Sequence, residues 1–134
     1  KVCKQQQIHF VSDEIYALSV FDENARHQSV LSIPKDELPD PNRTHFLWGL
    51  SKDLGFAGLR FGVIHSFNKN VLSLLISMCL YIGVPPHNQG VAAEILSDQV
   101  WLDQEYFPTN IARLREAHDQ RQFQTHPDRD RLGL

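Results

Sequence analysis

The sequence predicts an α/β fold. Short apolar runs of strand length come first along the chain, and segments with the apolar spacing of helices follow them. Of the 134 residues, 42% are hydrophobic and 22% are charged, a composition that excludes an intrinsically disordered chain. The length corresponds to one domain. We expect the chain to be a segment of a longer protein, because it begins without methionine and in mid-pattern.

Three apolar runs are predicted to be strands. They are residues 8–12 (IHFVS), 44–50 (THFLWGL) and 59–66 (LRFGVIHS). The first run ends at an acidic pair and is typical of a buried strand. We expect loop and short helix over residues 13–33, and a solvent-exposed connection over residues 34–43, which are rich in proline and acidic side chains.

Three helices are predicted to follow the strands. Asn68 is a good N-cap for the first helix, which ends at residues 83–86 (GVPP). The second runs from about residue 88 to 97, and the third from residue 108 or 109 to 118. Four side chains of the second helix are predicted to face inward: Val91, Ala92, Ile95 and Leu96. Over residues 119–134 the apolar spacing is lost, and we expect a frayed polar tail.

Charge and cysteine content narrow the classes of partner and compartment. Lys and Arg number 13 against 16 Asp and Glu, so no basic face for nucleic acid or for an anionic membrane is predicted. Cys3 and Cys79 lie far apart, no signal peptide is visible and no apolar run is long enough to span a membrane, so we expect a cytoplasmic protein. The seven histidines lack metal-ligand spacing, so no metal site is predicted.

Four side chains of complementary chemistry flank the predicted strands. Asp13 ends the first strand and Tyr16 follows it within the sequence DEIY. Lys52 comes just after the second strand, and Arg60 lies at the start of the third. Ligands of α/β sheets bind beyond the carboxyl ends of the strands. Taken singly, such residues are more often turn formers or solvated surface charges.

Together these groups match the needs of one cofactor, pyridoxal phosphate. Its aldehyde requires a lysine amine, and its pyridine nitrogen stays protonated beside a buried carboxylate. Its ring hydroxyl requires a phenol-type donor, and its phosphate favours the permanently charged fork of an arginine. Lys52, Asp13, Tyr16 and Arg60 supply these four groups in that order.

Three runs of sequence carry a family resemblance: VSDEIYALSVFDE, NRTHFLWGLSKDLGFAGLRFGVIHS and IARLREAH. They resemble the class I/II aminotransferases, which are fold-type I pyridoxal-phosphate enzymes, and most of all the 1-aminocyclopropane-1-carboxylate synthase-like branch. The resemblance covers roughly residues 8–118, and the SKDLG-x-x-G-x-R-x-G block is its specific part. It implies part of a three-layer α/β/α large domain with a mainly parallel sheet and flanking helices. Residues 1–118 would belong to that cofactor-binding domain and residues 119–134 would be the tail.

The resemblance also implies a role for each site residue. Lys52 would form the Schiff base with pyridoxal phosphate and move the Cα proton of an α-amino-acid substrate. Asp13 would pair with the pyridinium nitrogen, and Tyr16 would hydrogen-bond the ring oxygen. Arg60 would hold the phosphate, and Ser51 stands where family members often carry a cofactor-binding serine.

The chain departs from the family pattern in two ways. Three residues before the lysine the family usually has a phosphate-binding serine, whereas this chain has Gly49, so one phosphate hydrogen bond would be lost. Family members are also longer on both sides. The aromatic residue that stacks on the cofactor and the arginine that clamps the substrate carboxylate would therefore lie outside these 134 residues.

Several alternatives remain open from the sequence. The reaction is either transamination to a 2-oxo acid or elimination with ring closure on S-adenosylmethionine. The resemblance implies a homodimer for the full-length protein, in which the turn at residues 85–88 approaches the partner subunit; a simple turn between helices has equal weight. The alternative from another class is a catalytically inactive truncated fragment or pseudoenzyme that keeps only part of the fold.

Overall fold

The architecture is a small mixed sheet followed by helices. The computed structural model describes residues 2–125, and the side chains of residues 2–121. The strands are β1 (Phe10–Asp13), β2 (Thr44–Gly49) and β3 (Gly62–Ser66), in the spatial order β1-β2-β3. β1 and β2 are parallel, whereas β2 and β3 are antiparallel. The α/β class is confirmed, with a mixed sheet in place of the mainly parallel sheet that was expected.

The lengths of the connections explain the strand directions. Parallel neighbours need a long crossover, and residues 14–43 provide one between β1 and β2. Residues 50–61 between β2 and β3 contain one 3-10 turn, Ala57–Leu59, and no α-helix, so the chain returns antiparallel. β3 begins at Gly62, three residues after the predicted start at residue 59, because Leu59 ends this turn and Arg60 caps it.

The helical segments account for most of the second half of the chain. They are α1 (Val2–Gln5), α2 (Lys69–Ile82), α3 (Pro86–Ser97), α4 (Gln99–Trp101) and α5 (Phe107–Thr125). The predicted cap of α2 is confirmed, because the Asn68 side chain accepts hydrogen bonds from the backbone amides of Asn70 and Val71 at 3.0 and 3.2 Å. α3 begins at Pro86, where the fixed φ of proline suits a first helical residue.

The predicted start of the third helix at residue 108 or 109 is wrong. Asp98 caps α4, and α4 continues through a π-helical turn, Leu102–Tyr106, into α5. Pro108 lacks an N–H group and therefore lies just after this wider turn, inside the helical run. α5 extends to Thr125, so residues 119–125 are helical where a frayed tail was expected. Residues 126–134 lie outside the described residues, and the domain boundary at residue 118 stays a prediction.

The core lies under the turn that follows β2. Its fully buried side chains are Leu50, Leu54, Ala92 and Leu102. Leu50 and Leu54 flank the turn, and the other two come from α3 and the π-helical turn. Burial of a leucine side chain contributes roughly 1.5–3 kcal/mol. The segment that carries Ser51 and Lys52 is therefore anchored on both sides by buried leucines.

Other apolar faces are open to solvent. β1 was predicted to be buried, but it is an edge strand of the described sheet and Val11 is 51% exposed. Val91 of α3, predicted to face inward, is 47% exposed, whereas Ala92 is buried. Leu80 near the end of α2 is 87% exposed. Within residues 2–125, no single helix has the length and apolar character to cross a membrane, although α2 and α3, bent by 115°, meet those criteria as a pair by length and composition.

Candidate active site

The sheet register brings three of the predicted site residues to one edge. Asp13 pairs with Leu47 at the carboxyl ends of β1 and β2, and Gly49 pairs with Gly62 at the amino end of β3. Lys52 therefore follows β2 at the same edge at which Asp13 ends β1. Arg60 precedes β3 and lies at this edge too, because β3 is antiparallel. We call it the site edge.

Lys52 and Tyr16 come together at the site edge. The Lys52 Nζ atom lies 5.8 Å from the centroid of the Tyr16 ring, within the range of a weak cation–π contact. Both side chains are exposed. The lysine amine thus stands against the phenol ring in a solvent-accessible position, where it can react with a carbonyl compound.

The backbone around Lys52 forms a tight turn. The Lys52 carbonyl accepts a hydrogen bond from the Gly55 amide at 3.0 Å, and Gly55 has a φ of +69°, which glycine adopts without steric cost. Ser51 is half-buried at the start of this turn. Gly55 therefore allows the tight turn that carries Lys52.

Asp13 shapes the segment that carries Tyr16. Its Oδ1 atom accepts a hydrogen bond from the Ile15 amide at 3.3 Å, and the Ala17 amide donates to the Glu14 carbonyl at 2.9 Å. This is the local turn-forming role that a strand-end aspartate commonly has. The Asp13 side chain is exposed at the site edge, whereas the sequence analysis predicted a buried carboxylate; the carboxylate is accessible to a ligand there.

Arg60 holds a conformation that is unusual for its residue type. Its φ is +52°, in the left-handed region, which costs a residue with a Cβ atom roughly 1–2 kcal/mol. One guanidinium nitrogen donates to the Ala57 carbonyl at 3.3 Å, at the start of the preceding 3-10 turn. Strain of this kind clusters at functional sites, and Arg60 is the residue that is predicted to bind the phosphate.

Gly49 stands where its neighbours leave little space. A Cβ atom added there would lie 2.7 Å from the Phe61 carbonyl oxygen and 3.4 Å from the Ile15 side chain. The glycine in place of the family's serine is therefore matched by a close approach of β2 to the backbone just before β3. A side chain at this position would require the backbone to move.

Asp53 is a site-edge residue that the sequence analysis missed. Its side chain is 0% exposed, and it accepts hydrogen bonds from the Leu18 amide, the Ser19 hydroxyl and the Trp48 indole at 3.1, 2.6 and 2.8 Å. The nearest sequence signal is its position between Lys52 and the apolar Leu54. That position alone does not distinguish a buried acid from a surface one.

Tyr106 of the π-helical turn packs beside Asp53. Burial, followed by the Asp53 carboxylate, raises the pKa of the Tyr106 phenol above its usual value. The phenol therefore stays protonated at neutral pH and donates to the Asp53 carbonyl at 3.4 Å. The helical half of the chain is thereby joined to the turn at residues 52–55, which we call the lysine turn.

Glu14 is a second buried acid that the sequence analysis missed. It is 4% exposed and accepts hydrogen bonds from the Ser12 hydroxyl, the Val30 amide and the His27 ring at 2.8 to 2.9 Å. Burial by itself raises the pKa of this carboxyl, but the hydrogen bonds from Ser29 and these three groups outweigh burial and hold it at about 2. Glu14 therefore fixes the long crossover against the end of β1.

A histidine pair lies away from the site edge. His45 near the start of β2 bonds to the Ser66 hydroxyl through Nδ1 at 2.8 Å and to His9 Nδ1 through Nε2 at 2.7 Å. The two imidazole rings are stacked, with centroids 5.0 Å apart. Burial, followed by the nearby His9, lowers the pKa of His45. Among the described residues, no three His, Cys, Asp or Glu side chains are grouped to hold a metal ion.

Comparison with known families shows to which family the chain belongs. Residues 1–122 match the family described as aminotransferase class I and II. The chain belongs to this family. The fold is similar to that in the crystal structure of a Pyrococcus protein, protein-A1, which aligns with a TM-score of 0.67 over 99% of this chain and 32% of that one, at 22% identity.

Named relatives place the chain in the 1-aminocyclopropane-1-carboxylate synthase-like branch, as the sequence resemblance implied. The mouse 1-aminocyclopropane-1-carboxylate synthase-like protein 1 is 45% identical over 85% of this chain and 22% of its own length. The human probable inactive 1-aminocyclopropane-1-carboxylate synthase-like protein 2 is 44% identical over 86% and 20%. Arabidopsis 1-aminocyclopropane-1-carboxylate synthase 7 is 38% identical over 87% and 26%. This chain thus spans about a quarter or less of the length of each relative.

Proposed function

We propose that this chain is the cofactor-binding segment of a pyridoxal-phosphate enzyme that acts on α-amino acids through Lys52. The observation that carries the proposal is the position of the Lys52 amine, 5.8 Å from the Tyr16 ring, at the sheet edge where Asp13 and Arg60 also lie. An amine, a phenol, a carboxylate and a guanidinium form the donor set that pyridoxal phosphate needs, so the residues fit this cofactor.

Each of these residues then has a defined task. Lys52 would hold the cofactor through its amine and would accept the proton of the substrate Cα atom. Asp13 would accept a hydrogen bond from the ring nitrogen, and Tyr16 would donate one to the ring oxygen. Arg60 and the neighbouring Ser51 would bind the phosphate. Bound pyridoxal phosphate supplies the electron sink that makes the Cα proton acidic.

The finer parts of the proposal concern the full-length protein. We infer a cytoplasmic homodimer whose reaction is either transamination or elimination with ring closure on S-adenosylmethionine. The apolar side chains exposed along α2 support a covering partner or further chain, and relatives that are named as synthases support the second reaction. Incubation of the full-length protein with S-adenosylmethionine separates the two, because only elimination releases methylthioadenosine.

A second candidate is a chain that keeps the fold without catalysis. It is favoured by the lack of room for a phosphate-binding side chain at Gly49 and by the human relative that is described as probable inactive. Such a chain would retain β1 to β3 and the core but would not bind the cofactor selectively.

A titration with pyridoxal phosphate tests the proposal. We expect saturable binding by the wild-type chain, followed by the change in cofactor absorbance, and loss of that change in Lys52→Ala. Arg60→Ala should weaken binding about tenfold or more, because one charge-assisted phosphate contact is lost. The matched control is Lys69→Ala, which removes an exposed lysine at the start of α2 and should leave binding unchanged. Binding that is equally strong in Lys52→Ala would contradict the proposal and favour the inactive alternative.

A further inference from the structure

We propose that Asp53 is a positioning residue that holds Tyr16 and Lys52 against each other. The placement of the two side chains stands on the described contacts alone. Its consequence for cofactor capture rests on the proposed function.

The Asp53 carboxylate joins two segments that are distant in sequence. Its oxygens accept from the Leu18 amide at 3.1 Å and the Ser19 hydroxyl at 2.6 Å, and these donors come two and three residues after Tyr16. The Trp48 indole of β2 adds a third donor at 2.8 Å. Asp53 itself directly follows Lys52 in the chain. The carboxylate therefore connects residues 15–19, which we call the tyrosine segment, to the lysine turn.

The other hydrogen bonds of residues 15–19 are local, and the Glu14 amide just before them donates to the Leu47 carbonyl of β2 at 2.9 Å. The Ala17 amide donates to the Glu14 carbonyl, and the Ser19 amide donates to the Tyr16 carbonyl. These bonds shape the segment but do not connect it to the lysine turn. The Tyr16 ring is 58% exposed, so packing adds little to hold it in place. The bonds to Asp53 carry that connection.

The lysine turn is held in place by contacts of its own. Asp53 is fully buried, its carbonyl lies within 3.4 Å of the Tyr106 hydroxyl, and the Lys52 carbonyl is bonded to the Gly55 amide. A buried carboxylate with three donors makes charge-assisted hydrogen bonds, which are roughly twice as strong as neutral ones. Loss of the carboxylate therefore releases Tyr16 while the backbone of Lys52 stays anchored.

Two variants and one control test this role in the full chain. Asp53→Asn removes one acceptor atom and the charge, and Ser19→Ala removes a single donor while the carboxylate stays. The matched control is Asp22→Asn, the same chemical change at an exposed aspartate that accepts only from Asn24. Circular dichroism first confirms that each variant folds. Ser19→Ala keeps the proposal testable if Asp53→Asn does not fold.

The first measurement needs no cofactor. In NMR spectra of the chain with 13C-labelled lysine, the ring current of Tyr16 should shift the Lys52 side-chain signals in the wild type. We expect Asp53→Asn to abolish this shift, Ser19→Ala to reduce it, and Asp22→Asn to preserve it. An unchanged shift in folded Asp53→Asn and in Ser19→Ala would overturn the proposal, whether or not the chain binds pyridoxal phosphate.

The second measurement is the rate of pyridoxal-phosphate capture at Lys52, trapped by borohydride. Misplacement of the amine should lower the first-order rate constant at saturation about tenfold in Asp53→Asn, and change the half-saturating concentration little. A purely structural defect would instead lower the rate constant and also raise the half-saturating concentration. A wild-type chain that captures no cofactor at Lys52 would refute the proposed function, while the NMR measurement would still decide the role of Asp53.

Discussion

At the scale of single residues, Arg60 combines a strained backbone with a side chain at the site edge. Its φ of +52° is accessible to glycine without steric cost, whereas alanine keeps the strain. We expect Arg60→Gly to be more stable than Arg60→Ala by about 1 kcal/mol. Both variants should bind pyridoxal phosphate equally weakly, because both lack the guanidinium. Urea unfolding and cofactor titration of the pair check this. Equal stability of the two variants would show that the conformation stores no strain.

Glu14 makes the stability of the folded chain depend on pH in the acid range. Its carboxyl has a pKa of about 2 in the folded chain against 4.5 for a free carboxyl. Because the folded state binds this proton more weakly than the unfolded state, the contribution to stability is complete above pH 4.5 and is lost as the pH falls toward 2.

We expect Glu14→Gln to lower the free energy of unfolding at neutral pH by about 2–3 kcal/mol. The same substitution should flatten the acid dependence between pH 4.5 and 2, because the amide does not titrate there. Urea unfolding at a series of pH values measures both effects. The exposed Glu23→Gln is the matched control, and an equal loss of stability in that variant would contradict the role of Glu14.

At the scale of elements, the histidine pair makes the stability of β1 and β2 depend on pH. Burial and the adjacent His9 lower the pKa of His45 below its usual value of 6.5. The unfolded chain therefore binds this proton more readily than the folded chain does. Stability should be full above pH 6.5 and should decline as the pH falls below that value, until His45 is protonated in the folded state as well.

We expect His9→Gln to lessen this decline, because it removes the neighbouring charge and leaves His45 buried between the strands. Hydrogen exchange of the β1 and β2 amides at pH 7.5 and 5.5, below the usual pKa of 6.5, gives the readout at the level of the strands. A wild-type sheet that is equally protected at both pH values would show that the pair does not destabilise the strands.

The helices show which elements local sequence determines. α2 matches its prediction because the Asn68 cap and the glycine at residue 83 are signals within the helix itself. The third predicted helix failed at its start, because proline is common at first helical positions and Pro108 was interpreted as one. The π-helical turn that accommodates this proline depends on packing of Leu102 and Tyr106 against the core, which no local pattern reveals.

At the scale of the whole molecule, the site was predictable to the extent that it follows strand ends. Asp13 and Lys52 follow the carboxyl ends of β1 and β2, so a correct prediction of two parallel strands places both at one edge. Arg60 reaches that edge because β3 is antiparallel, which the predicted, mainly parallel sheet did not include. Asp53 and Glu14 were missed because their carboxylates accept hydrogen bonds from partners as far as 35 and 16 residues away in the chain. Contacts between distant segments decide which acids are buried.

The open apolar faces also belong to this scale. β1 and α3 expose side chains that the sequence analysis predicted to be buried, α2 exposes Leu80, and the chain spans about a quarter or less of the length of its relatives. Large exposed apolar patches on a soluble chain mark surfaces that another polypeptide covers. The fold class follows from the order of strands and helices, whereas the exposure of these faces depends on which elements pack over them, which the order of elements does not reveal.

The central claim is that Lys52 is the amine that captures pyridoxal phosphate. The most direct measurement is borohydride reduction of the chain after incubation with pyridoxal phosphate, followed by peptide mass mapping of all lysines. We predict a pyridoxyl adduct confined to Lys52, lost in Lys52→Ala and unaffected in Lys69→Ala. Adducts spread over Lys4, Lys35 and Lys69 to the same extent, or none at Lys52, would contradict the claim.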